Sequence, residues 1–435
     1  MATLALSPPP RVRSWRRSRT GDAAFQLILA IACMFAFRDT LTGALRFVLA
    51  KAGLSVLWFL PDALSLFAFG WFAWTVAYRQ RSPWAVLLVI NAVVATIIGW
   101  MFMAAPLFAL VSSIKLFLPF FVGCCFAGRS ITEIVWVRWT LGALMVVSIV
   151  GLLLSPYVDF PWLANSIDNF GYAKSTGRVW WAGADLRYGG FAGESTMAAY
   201  MCVFPYFLLY RHLPRWAAVA LLVPIWLAVD LSTSKTSEIV FVAFVIYYVV
   251  SEFLVPITRR LDFTRKIAFT SFALVPMPFL LMAALSGTDL SSVSTTLFSL
   301  QDRINNTWRF PFAYMSQHFP VGLITGCGLG CFTYPMQYTD LAALWVPVDS
   351  FFVATYVMLG LPFVLLAFGM VSASQKGQHI DKLLLMALTN LYVITVQGYG
   401  PSTTTIFIAY AMSDMFLPRV QQWRRSRVAA PVPAG

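Results

Sequence analysis

The chain has 435 residues, 59% of them hydrophobic and 11% charged, with a formal net charge of +13. Soluble domains carry about 25% charged residues, so this composition excludes an ordinary soluble fold. Most Lys and Arg residues stand in short stretches between apolar runs, which reads as a membrane-topology signal rather than a nucleic-acid surface.

A bilayer core of about 30 Å is crossed by about 20 apolar residues in a helix. Backbone polar groups find no water there, so the spans must be helical. Spans are predicted at 23–38, 61–78, 83–102, 104–127, 134–156, 195–210, 216–232, 236–254, 267–286, 349–372, 381–397 and 402–418. This makes an all-α polytopic membrane protein of about 12 transmembrane helices, with residues 1–435 as a single integral membrane domain.

Basic residues orient the chain. Arg11, Arg13, Arg16, Arg17 and Arg19 are expected in the cytoplasm, as are Arg79, Arg81, Arg129, Arg211, Arg215, Arg259, Arg260, Arg265, Lys266, Lys376 and Lys382. The tail with Arg419, Arg424, Arg425 and Arg427 follows, so both termini land inside. No small-residue cleavage site follows the first apolar run, so no cleaved signal peptide is expected. Arg46 and Lys51 interrupt 39–60, which is expected to be an amphipathic or re-entrant helix on the outer face with both cations snorkelling.

The alternation leaves two long segments outside the cytoplasm, 156–194 and 286–348. Long connections in a compact protein are usually functional or disordered, and the Trp, Tyr and Phe in both argue against disorder. Cations on the outer side escape the topology rule. Besides Arg38, Arg46, Lys51 and Lys115 they are Lys174, Arg178, Arg187, Lys235, Arg303 and Arg309. The planar fork of Arg suits phosphate and carboxylate, so an anion site near the outer interface is expected; the plainer reading of any one of them is a solvated loop cation.

Several strings sharpen this. Arg187-Tyr188-Gly189-Gly190-Phe191-Ala192-Gly193-Glu194 leads into the span that begins at Ser195, where free helix N–H groups favour an anion. Thr325-Gly326-Cys327-Gly328-Leu329-Gly330-Cys331-Phe332 has the look of a glycine nest for phosphate, without the strand that such motifs follow. A helical spacing would hold Cys327 and Cys331 too far apart for closure, so two free thiols are expected. Ser232-Thr233-Ser234-Lys235 lies between Asp230 and Glu238, either of which would pair with Lys235 unless the group lines a cavity. Lys115 falls deep in its span and marks a buried polar interior. Asp349 opens a span and is a candidate general base, or simply a carboxylate favoured by the helix dipole. His is too scarce for a His-rich metal site, no Cys/His or paired-carboxylate spacing suggests zinc, and no Walker loop is present for ATP.

These strings in this order resemble the O-antigen ligase/O-antigen polymerase superfamily of bacterial envelope enzymes. The likeness covers most of the chain in layout but only four short strings in residues. Arg187, Gly190 and Phe191 are similar to the family's Arg/Gly/Phe entry to a central span, with Gly193-Glu194-Ser195 where Pro-Asn is frequent. Ser232-Thr233-Ser234-Lys235 is similar to a Ser-x-Ser-Arg string. The third runs from Arg303 through Trp308 and Pro320 to Phe332, and the fourth from Asp349 to Gly360. Ligases of the family carry His at the Asp349 position, whereas polymerase-like members often carry Asp, so the resemblance tilts to a Wzy-type polysaccharide polymerase.

The resemblance implies a GT-C-like, metal-independent glycosyltransferase of the bacterial inner membrane, without cofactor, with its active site facing the periplasm. Its donor and acceptor would be undecaprenyl-pyrophosphate-linked glycans, and a chain-length-regulating co-polymerase would be a partner. Asp349, Glu194 and Arg303 would be catalytic. Arg187, Arg303, Arg309, Arg178 and Lys235 would bind pyrophosphate. The alternatives are an O-antigen ligase or protein O-oligosaccharyltransferase using the same donor, and a lipid-linked glycan transporter.

Overall fold

The computed structural model describes residues 19–417, apart from 164, 170–171, 179–180, 183–184, 291 and 293–296. The arginines at 11–17 and 419–427 on which part of the topology rests lie outside the described residues, as do the side chains of Arg19 and Lys174.

The described residues are predominantly helical. Helix α1 (Arg19–Thr40) leads into the short α2 (Thr42–Lys51), then α3 (Leu60–Phe72), α4 (Pro83–Phe102), α5 (Leu107–Cys124) and α6 (Val135–Leu154). The first long segment departs from the all-helical expectation by folding two small antiparallel hairpins, β1 (Ser166–Asn169) with β2 (Tyr172–Ser175) and β3 (Trp181–Ala182) with β4 (Asp185–Leu186). Next come α7 (Ser195–Leu209), α8 (Arg215–Leu231), α9 (Lys235–Val249), α10 (Arg260–Thr270) and α11 (Met277–Leu285). The second long segment carries the short α12 (Phe298–Asp302), α13 (Arg309–His318) and α14 (Gly322–Thr325). It ends at α15 (Phe351–Leu359), α16 (Leu361–Lys376), α17 (Ile380–Tyr392) and α18 (Ser402–Met412).

Among the described residues, seven helical stretches are long and apolar enough to cross a membrane: Ala23–Thr40, Ser55–Arg79, Pro83–Phe102, Leu107–Cys124, Val135–Leu154, Lys235–Leu254 and Ile257–Leu285. The molecule is thus an all-α membrane-embedded protein. Helices α7, α17 and α18 are shorter and sit inside it. Every residue of α18 is buried, as are all of α7 but Thr196 and all of α17 but Ile380 and Leu391. A helix wrapped by protein needs no long apolar stripe facing lipid, so span length ceases to constrain it. The lipid-type surface falls on the outer helices, where Ile90, Val94 and Ile97 of α4, Val219 and Val223 of α8, and Ile239 and Ile246 of α9 are exposed.

Glycines set the closest helix approaches. A Cβ at Gly123 of α5 would lie 2.3 Å from the Ile406 carbonyl oxygen, so α5 and α18 touch backbone to backbone. Gly151 of α6 does the same for the ring of Phe191.

Each end of this bundle carries a buried polar layer. At one end Lys382 donates to Asp414 (2.7 Å), Ser413 (2.9 Å) and the Phe126 carbonyl (2.7 Å). Asp414 also accepts from the Gly128 N–H at 2.8 Å, and the neighbouring Asp381 accepts from Ser130 (2.5 Å) and Tyr410 (2.8 Å). Lys382 is 1% exposed, so it is no solvent-facing topology cation as expected from sequence but one half of a buried ion pair. The opposite end of the same helices holds Arg38, Asp39, Asp62 and Ser402 and the candidate site.

Candidate functional site

The site assembles around the segment 392–396 that follows α17. The Phe351 N–H, at the start of α15, donates to the carbonyls of Val393 and Val396, both at 3.0 Å. The Thr236 and Thr395 hydroxyls meet at 2.8 Å, docking the first turn of α9 beside the same segment. Glu194 is the N-cap of α7 and lies within electrostatic reach of Tyr392. The Tyr188 N–H donates to the Leu231 carbonyl at 3.3 Å, which holds Arg187 beside the end of α8. Four helix ends thus bring residues about 200 positions apart to one place.

Asp349 stands one residue outside its helix. Ser350 is the N-cap, its hydroxyl accepting from the Val353 N–H at 3.5 Å, so Asp349 is not spent on capping. Its side chain is 46% exposed, with Oδ2 at 3.8 Å from Nη2 of Arg303. Burial raises the carboxyl above the usual range, Arg303 opposes this, and Asp302 adds to it.

Arg303 begins a widened turn in which the Trp308 N–H reaches back to the Arg303 carbonyl at 2.8 Å. Such five-residue turns mark functional positions more often than regular helix does. Trp308 itself is fully buried and pins the turn. Nη1 of Arg303 donates to Ser299 at 2.8 Å. Nη2 is too far from Asp349 for a hydrogen bond, and Nε is buried with no hydrogen-bond partner. The guanidinium therefore keeps donors unfilled beside a carboxylate. Arg187 lies close enough that burial first, and the charge of Arg303 second, push its pKa down. Two guanidinium groups held together repel, and an anion between them relieves that repulsion.

The other expected residues divide. Lys235 opens α9 near the same segment, with an exposed side chain. The pairing expected with Asp230 or Glu238 is not an ion pair within 4 Å among the described residues. The serines before it build the turn: Ser232 bonds the Val229 carbonyl at 2.6 Å and receives the Ser234 N–H at 3.2 Å. Arg309 donates to Ser286 at 2.6 Å and holds the start of the second long segment; no described contact brings it to Asp349. Arg178 is exposed, and its backbone N–H bonds the Gly193 carbonyl at 2.8 Å, so it borders the glycine turn.

Two expectations at the second glycine string are corrected. Cys327 and Cys331 form a disulfide with Cα atoms 5.9 Å apart. The free-thiol reading presumed helical spacing, but Gly326, Gly328 and Gly330 take φ of +77°, +90° and +91° and fold the string back on itself. Nor is the string an open phosphate nest. A Cβ at Gly328 would fall on the Gly99 nitrogen, and one at Gly330 on the Ser113 hydroxyl. The Leu329 N–H donates to the Ala95 carbonyl at 2.7 Å and the Cys327 N–H to that of Val357 at 2.9 Å. The glycines wedge backbone between α4, α5 and α15.

Sequence reading did not foresee the 392–396 hub or the network on Arg38. Nη1 of Arg38 donates to Asp62 at 2.6 Å and Nη2 to Ser402 at 2.7 Å. Asp39 accepts from the backbone and hydroxyl of Thr403 at 2.7 and 2.8 Å. Lys115 stands 3.6 Å from Asp62, in keeping with the polar interior it signalled. Among the described residues no group of three His, Cys, Asp or Glu side chains could hold a metal ion.

No protein-family model matches the chain, and no curated protein matches it either.

Proposed function

We propose that this protein is a membrane glycosyltransferase that polymerises undecaprenyl-pyrophosphate-linked oligosaccharide repeat units into a surface polysaccharide. One observation carries the reading: Arg303, with guanidinium donors unfilled, stands between a second arginine, Arg187, and a carboxylate with a raised pKa, Asp349. That is what transfer from a glycosyl pyrophosphate asks for. The acceptor hydroxyl attacks the anomeric carbon and its proton passes to Asp349. The bond from that carbon to the pyrophosphate oxygen breaks, and Arg303 and Arg187 take up the charge developing on the leaving group. Glu194 and Lys235, at the same helix ends, orient sugar and phosphate. The pyrophosphate ester supplies the driving force, so no nucleotide is consumed.

In this reading the chain has about 12 helices in a GT-C-like arrangement in the bacterial inner membrane. Both termini are cytoplasmic and the site opens to the periplasm, in accord with the spacing of basic residues. The Cys327–Cys331 disulfide favours the same sidedness for the second long segment, because disulfides persist in oxidising compartments.

The test uses purified protein in liposomes with lipid-linked repeat units from the native host and no added nucleotide. Wild type is expected to give a glycan ladder, and Arg303→Ala to lose about 10²–10³ in rate. Single transfer onto lipid A core or a protein would make the enzyme a ligase. No transfer by folded protein would leave transport of the lipid-linked glycan as the activity.

A further inference from the structure

The segment after α1 carries a charge the network around it does not balance. Three cations, Arg38, Arg46 and Lys115, gather around two carboxylates, Asp39 and Asp62. Both carboxylates are engaged: Asp62 by Arg38 and Lys115, Asp39 by Thr403 and Arg38. Arg46 is left over. Its guanidinium lies 4.1 Å from the centre of the Trp58 ring, and among the described residues no carboxylate comes within 4 Å of it. Burial first, and the charge of Arg38 next, pull its pKa down to about 10, against weaker opposing influences that include Asp39.

Two hydroxyls complete the surroundings. The short turn Tyr334–Tyr338 packs on α5 through Phe108, whose ring centre is 4.7 Å from that of Tyr338. The Tyr334 and Tyr338 hydroxyls meet at 2.5 Å, and both act electrostatically on Arg46. Lys115 keeps 29% of its side chain exposed and feels the charge of Arg46. A guanidinium and an ammonium beside the linked Tyr338 and Tyr334 hydroxyls form a cationic site suited to a phosphate-type anion. The rim is apolar: Val48, Val56 and Leu57 beside it are exposed, as on a surface that meets acyl or prenyl chains.

We propose that Arg46, Lys115, Tyr334 and Tyr338 form a second anion site that binds the phosphate or pyrophosphate group of a membrane lipid. Only the identity of that lipid rests on the function proposed above: a polymerase handles two lipid-linked substrates at once, and this site would hold the acceptor while Arg187 and Arg303 hold the donor.

The experiment counts ligands. Wild type, Arg46→Gln, Arg46→Lys, Arg303→Ala and the Arg46→Gln/Arg303→Ala double variant, in phosphatidylcholine nanodiscs, are titrated with farnesyl pyrophosphate and separately with inorganic pyrophosphate. Native mass spectrometry gives the number bound, and thermal melting confirms the fold. Wild type is expected to bind two farnesyl pyrophosphates, Arg46→Gln one, Arg46→Lys two with weaker affinity, and the double variant none. Inorganic pyrophosphate is expected to bind the Arg46 site at least tenfold more weakly, because it lacks the chain that lies on the apolar rim. Equal affinity would overturn the lipid assignment. An unchanged count in a folded Arg46→Gln protein would overturn the site itself. Loss of one ligand in Arg46→Gln but none in Arg303→Ala would uphold this site and sink the donor site instead, which keeps the two readings separable.

Discussion

Asp349 ionises against opposing influences. Burial and Asp302 hold its proton on, and Arg303 draws the proton off. As the base of the proposed transfer Asp349 works only when ionised, so turnover is expected above the raised pKa and falls as pH drops through it. The acid limb of the pH–rate profile therefore lies above the ordinary aspartate value of about 3.9. Arg303→Ala removes the lowering influence and moves that limb to higher pH, alongside its loss of rate. Asp349→Asn is expected to cut turnover by about 10²–10⁴ at every pH while pyrophosphate binding persists. If the limb keeps its place in Arg303→Ala, the carboxylate is not the titrating group. The sign for stability runs the other way: a raised carboxyl pKa gives stability below the unfolded value that is lost as pH rises through the folded one. With Asp349 nearly half exposed, solvent screening keeps that effect small. At this scale the cluster of the candidate site was legible, because Arg187, Arg303 and Asp349, which the fold brings near one another, are charges without a topological reason to be where they are. Arg309 and Arg178 looked the same in sequence. Only the fold separates them, since one is bound to Ser286 and the other lies out in solvent.

Among elements, the glycine string 326–330 teaches most about what a one-dimensional reading loses. Three glycines in five residues suggest a ligand loop or a close packing contact equally well, and spacing alone does not choose. The choice depends on α4 offering Gly99 opposite Gly328, a match between positions more than 200 apart. The same geometry decides the cysteines, whose approach depends on the positive φ of the glycines around them. Long lipid-facing helices such as α4 were legible from their apolar length. The interior helices α7, α17 and α18 were legible as apolar runs, but their enclosure by the others was not. Gly328→Ala is expected to strain a backbone at φ +90° and to drive a methyl group into the Gly99 backbone. The expected cost is about 3–5 kcal/mol. A melting point in detergent within a degree of wild type would show that α4 and the string part easily.

For the molecule as a whole, the two polar layers at opposite ends of the bundle fix which helices are neighbours. The site end gathers three cations, Arg38, Arg46 and Lys115, around two carboxylates, Asp39 and Asp62. The other end is closed: Lys382 and Asp414 are 1% and 3% exposed in their side chains and fill each other's hydrogen bonds at 2.7 Å. Through Phe126 and Gly128 this pair ties α17 and α18 to the connection between α5 and α6. Helices α17 and α18 also bracket the 392–396 hub, so the far ion pair sets the frame in which the site forms. Lys382→Met leaves the Asp414 carboxylate buried without its counter-charge and is expected to cost about 3–5 kcal/mol. The double variant Lys382→Met/Asp414→Leu removes both charges and is expected to recover most of that loss, since a well-packed apolar pair often equals a buried ion pair. Denaturation of the four proteins of this cycle in the same detergent measures the coupling. A double variant as unstable as Lys382→Met would mean that the Gly128 N–H and Phe126 carbonyl contacts, rather than the charge pair, hold the helices in register.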